Sequence, residues 1–129
     1  MSQVAACRPV EERKSKMVKH VILWQLKDDF SKEEKEKIKS GIKEGLEGLA
    51  GKIPGLLWIR VNTKSLGSSN VDVMLDSAFV DEAALKGYAV HPEHVKVADG
   101  KVRPFTKARY CLDYVDEGAM CDTTVKQTE

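Results

Sequence analysis

The segment 18–26, VKHVILWQL, constrains the fold of this chain more than any other stretch. Its β-branched and aromatic residues fit an extended backbone. Successive side chains of a strand alternate between faces. That places Val18, His20, Ile22, Trp24 and Leu26 on one face and Lys19, Val21, Leu23 and Gln25 on the other. Apolar residues stand on both faces, as they do in a central strand covered from both sides. Any fold for this chain must therefore supply a layer on each side of the strand.

The segments that follow fall into a regular order. Ser31-x-x-Glu34 reads as a capping box that starts a helix. Ile38, Ile42, Leu46 and Leu49 then recur at helical spacing and form one apolar stripe. Gly41, Gly45 and Gly48 each weaken that helix by about 1 kcal/mol relative to alanine, which points to close packing or a frayed end. Pro54-Gly55 stops the run, and Leu56–Asn62 alternates as a strand. After the turn LGSSN, 71–79 is a third strand, with Val71, Val73, Leu75 and Phe79 opposite Asp72, Met74 and Asp76. Asp81 is placed to cap a short helix, DEAALKGY, and His91-Pro92 opens a further helical segment. The last strand is 106–115, with Ala108, Tyr110, Leu112 and Tyr114 on one side.

The order β-α-β-β-α-β predicts an α+β, ferredoxin-like domain: a four-stranded antiparallel sheet with helices on one face. The opposite face keeps enough apolar residues to need a cover. A second copy of the same sheet is the simplest one, so a homodimer is expected. Residues 1–16 lack apolar periodicity and read as a disordered arm, the domain spans 17–115, and 116–129 read as a loose tail.

Composition narrows the function classes. The 129 residues suit one domain. Twenty-one basic residues nearly balance twenty acidic ones, so no net field favours nucleic acid or an anionic membrane. No apolar run reaches the ~20 residues of a membrane span, and the first residues lack the core of an export signal. Three cysteines, Cys7, Cys111 and Cys121, are an odd and sparse set. They read as free thiols in a reducing, cytoplasmic setting, without a CxxC or zinc-type cluster.

Chemistry rests on the three histidines, His20, His91 and His94. His20 lies in the most apolar strand. It is either a hydrogen-bonded core residue or a pocket residue facing the later helices. His91 and His94 are one helical step apart, with Tyr88 just before the break. A polar ring set at a helix break can hold a proton donor and acceptor over a small ligand. Capping by His91 and exposure of His94 is the plain alternative. A metal held by His91, Glu93 and His94 lacks a further fixed carboxylate, so no metal site is read. Asp72 and Asp76 are roughly 13 Å apart along a strand, too far for a carboxylate dyad.

Three pieces of the chain resemble the Dabb family, the stress-responsive dimeric α/β-barrel domains. They are Val18-Lys19-His20-Val21-Ile22-Leu23, Lys52-Ile53-Pro54-Gly55, and Tyr88-Ala-Val-His91-Pro92-Glu93-His94-Val95. The resemblance covers about 17–115. It implies a ferredoxin-like protomer whose sheet pairs with that of a second copy. Plant members include a polyketide cyclase, olivetolic acid cyclase, that performs an aldol condensation without a cofactor. Its catalytic pair matches Tyr88 and His94, and its first-strand histidine matches His20. Its third-strand histidine falls at Val73, so that part of the site is missing here.

The expectation is thus a homodimer binding a small, partly apolar carbonyl or phenolic ligand. If it is an enzyme, it is a lyase like the polyketide cyclases, with His94 as base, Tyr88 as hydrogen-bond donor, and His20, Trp24 and His91 contacting the ligand. No cofactor is implied. A non-catalytic stress-responsive binding protein, a structural oligomer and a cofactor-independent monooxygenase are the competing readings.

Overall fold

The computed structural model describes residues 17–117. The expected arm, most of the expected tail, Cys7 and Cys121 lie outside them. The elements are β1 (Met17–Leu26), α1 (Lys32–Glu47), β2 (Leu56–Asn62), β3 (Val73–Phe79), α2 (Glu82–Val90), α3 (Pro92–Val97) and β4 (Thr106–Asp116). A π-helical turn, Ala98–Val102, and a short 3-10 turn, Arg103–Phe105, join α3 to β4. The strands form a four-stranded antiparallel sheet in the order β2-β3-β1-β4, the ferredoxin-like arrangement expected from element order. β1 is central, as its two apolar faces require.

Local signals set the boundaries. The Glu34 amide donates to Ser31 Oγ at 3.1 Å, and the Ser31 amide donates to Glu34 Oε1 at 2.7 Å, closing the capping box. Asp81 accepts from the Ala84 amide at 2.8 Å and starts α2. β3 begins at Val73 rather than Val71, because the Asp72 carboxylate takes over as the partner of the Leu26 amide at 2.8 Å. β4 runs one residue past the expected end, to Asp116.

Cross-strand partners share a face, so the register sorts the side chains. Val18, His20, Ile22 and Trp24 point to the helices, with Phe79, Ser77, Leu75 and Val73 beside them on β3. Against them pack Ile42, Leu46 and Leu49 from α1 and its exit, with Leu85 and Tyr88 from α2. Gly45 lets α1 approach α3: a Cβ there would stand 2.8 Å from Val97 Cγ1. The close-packing alternative therefore holds for Gly45. Gly55 has φ +82°, and a Cβ there would stand 2.4 Å from Ala84 Cβ, so the turn into β2 needs glycine on both counts.

The other face carries Lys19, Val21 and Leu23 with Tyr114, Leu112 and Tyr110 from β4. Lys19 pairs with Asp76 at 2.8 Å and sits 4.7 Å from the Trp58 ring centroid. Tyr110, Leu112 and Tyr114 are exposed in the protomer. The apolar side read for β4 is thus the side away from the helices. Among the described residues no helix is long and apolar enough to cross a membrane.

Candidate functional site

β4 extends beyond the cover that the helices provide, and a cavity of about 470 Å³ opens between it and α2, α3 and the π-helical turn. Val18, Ile22, Trp24 and Leu85 give it apolar walls, and His20, Tyr88 and His94 give it polar ones. β1 supplies His20 and Trp24, the last turn of α2 supplies Tyr88, and α3 supplies His94. The break at His91-Pro92 redirects the chain so that the rings of Tyr88 and His94 meet with centroids 4.1 Å apart. His20 meets Tyr88 edge to face, centroids 5.7 Å apart. The three rings form one row along the cavity wall.

Their polar atoms divide in an informative way. Tyr88 Oη and His94 Nδ1 are buried and have no hydrogen-bond partner in the protein. Burial pushes the Tyr88 phenol well above the usual tyrosine range, with Arg109 opposing in part, so the hydroxyl keeps its proton. Burial also lowers the pKa of His94. Electrostatic contributions from Arg103, His20 and Arg109 act in the same direction, and a hydrogen bond with the Ala89 backbone opposes. His94 is therefore a neutral imidazole near pH 7.

His20 combines the two readings made of it. It is buried, yet it lines the cavity. Its Nδ1 lies 2.5 Å from Asp113 Oδ1. An ionised carboxylate only accepts, so Nδ1 donates, and a neutral ring leaves Nε2 as an acceptor. Asp113 is the register partner of His20 across β1 and β4.

One sequence expectation changes. His91 does not line the cavity. Its Nδ1 accepts from the Glu93 amide at 3.1 Å and caps α3, so the ligand-contacting role expected for it is withdrawn in favour of the capping alternative. The sequence shows no cluster of metal-binding spacing, and the fold brings one set of potential donors together. His20, Cys111 and Asp113 each place a donor atom within 4.8 Å of the others. Asp113, Cys111, Arg103 and Arg109 were all missed as cavity residues. The available signal was the second alternation of β4, Arg109-x-Cys111-x-Asp113, opposite its aromatic side. Val73 is a buried core residue and takes no part in the cavity.

The chain matches the family model for the stress responsive A/B barrel domain over 18–116. No curated protein matches it. A solved dimeric protein with a ferredoxin-like fold from Bacteroides fragilis is 34% identical, covering 78% of this chain and 96% of that one, with a TM-score of 0.73. A Dabb family protein from Mesorhizobium loti is 22% identical, covering 78% and 97%, with a TM-score of 0.61. The hydroxynitrile lyase of Passiflora edulis is 15% identical, covering 79% and 94%, with a TM-score of 0.61, a likeness of fold. The chain belongs to the stress-responsive A/B barrel (Dabb) domain family.

Proposed function

We propose that this chain works as a homodimer that binds a small, partly apolar carbonyl or phenolic ligand over Tyr88 and His94 and moves a proton on it. One observation supports the reading: Tyr88 and His94 both line a mostly apolar cavity, and each holds a buried polar atom, Tyr88 Oη and His94 Nδ1, without a partner of its own. Leaving such a group unpaired costs about 1–3 kcal/mol, and a ligand oxygen and an acidic C–H would supply the missing partners.

In this reading the neutral His94 takes a proton α to a carbonyl at Nδ1. Tyr88 donates a hydrogen bond to the oxygen on which negative charge develops. The Asp113 carboxylate fixes the ring of His20, which orients the ligand or a water with Nε2. Trp24 forms part of the apolar wall. The dimer rests on the exposed aromatic side of β4 and on the dimeric relative from Bacteroides fragilis.

A thermal-shift screen of small carbonyl and phenolic compounds tests the site. Wild type should be stabilised by members of the set, and Tyr88→Phe and His94→Ala should lose that stabilisation while staying folded. If no compound stabilises wild type, or both variants respond as wild type does, the reading fails. Light scattering showing a monomer at micromolar concentration would remove the dimer.

A further inference from the structure

We propose that His20, Cys111 and Asp113 form a binding site for one borderline-soft divalent ion of the zinc type at the rim of the cavity. The site needs residues 91 positions apart to meet, and the β1–β4 ladder makes them meet. His20 stands opposite Asp113 in that register, and Cys111 is two residues along β4 on the same face, opposite Ile22. All three line the cavity.

The donor set and its spacing suit such an ion. An imidazole, a thiol and a carboxylate together select zinc, cobalt or iron(II) over magnesium or calcium, which prefer oxygen alone. Around a tetrahedral zinc with bonds of about 2.0–2.3 Å, donor atoms are roughly 3.3–3.8 Å apart. Here Cys111 Sγ is 3.5 Å from Asp113 Oδ1, and His20 Nδ1 is 2.5 Å from the same oxygen. All three donor atoms lie within 4.8 Å of one another. A small rotation of the exposed Asp113 carboxylate opens the tight pair.

Three protein donors leave the fourth position of a tetrahedral ion free, as in catalytic rather than structural zinc sites. The ladder holds the donors in place before the ion arrives. Binding moves the ring proton of His20 from the coordinating nitrogen to the other one, and the thiol proton of Cys111 leaves to solvent. The two anionic donors then balance the charge of a divalent ion. No redox step is involved. The site shares His20 and Asp113 with the proposed ligand site but uses neither Tyr88 nor His94, and its test reads metal binding without any organic ligand.

The experiment uses the full chain with Cys7→Ser and Cys121→Ser, so that Cys111 is the sole thiol. Zinc binding is measured by competition with a chromophoric chelator, and cobalt(II) binding by absorption. The expected result is one ion per chain and a cobalt–thiolate charge-transfer band in the near ultraviolet. Cys111→Ser should abolish the band. Cys111→Ser and Asp113→Asn should each weaken zinc by about tenfold at the least, the loss that even an outer partner of a bound metal causes. His91→Ala should leave the affinity unchanged. Absence of binding at micromolar zinc overturns the proposal. So does an affinity that survives Cys111→Ser, or one that falls with His91→Ala and places the ion at the His-x-x-His step.

Discussion

The helix-covered side of the sheet has two halves that are built differently. Under α1 and its exit, Ile42, Leu49 and Val61 are buried at 2% exposure or less and take no part in the cavity. Towards β4 the same layer opens into a cavity, and Cys111 and Asp113 stand exposed on its rim. Both halves share β1. The difference lies in what covers them: a long amphipathic helix on one side, two short helices broken at His91-Pro92 on the other. A long apolar stripe fills space completely. A broken one leaves a gap, and two buried polar atoms of the residues beside it, Tyr88 Oη and His94 Nδ1, remain unpaired. Close apolar packing is concentrated in the first half and unpaired buried polar atoms in the second.

The largest effect that sharpens this contrast belongs to the closed half. Ile42→Ala should destabilise the domain by about 2–5 kcal/mol, because the packed site cannot collapse around the lost methyl groups. Denaturant unfolding measures it. A loss well under that range would mean that the α1 half is as loosely filled as the cavity.

Tyr88→Phe is the matching change in the open half. It removes a buried hydroxyl that has no partner and keeps the ring packed on His20, Phe79 and His94. Stability should hold or rise, by up to about 1–3 kcal/mol, the cost of an unpaired buried polar group. A melting temperature several degrees below wild type would show that the hydroxyl is structural.

A smaller effect comes from pH. Burial, with help from Arg103, His20 and Arg109, makes His94 resist protonation in the folded chain. Below its ordinary pKa of about 6.5 the unfolded chain takes up a proton there that the folded chain refuses. The His94 contribution to stability is thus complete above that pH and declines as pH falls through the lowered folded value. Replacing His94 with Gln should flatten the melting temperature between neutral and mildly acid pH relative to wild type. Parallel curves for the two proteins would place His94 in a solvated environment, contrary to its burial.

The sequence by itself determined everything that local chemistry governs. The capping box at Ser31, the cap at Asp81, the stop at Pro54-Gly55 and the two-faced pattern of β1 each depend on neighbours a few residues away. Together they give the element order and hence the antiparallel sheet. Tyr88 and His94 were legible because one helix break carries both. The tertiary structure decided the rest. His91 and His94 look equivalent in the sequence, yet the turn at Pro92 commits one ring to a backbone amide and the other to the cavity. Asp113 becomes the partner of His20, and Cys111 their neighbour, only through the register of β1 with β4. Register is fixed by pairing along a whole ladder and by the packing of one buried face, and a single strand read alone contains neither.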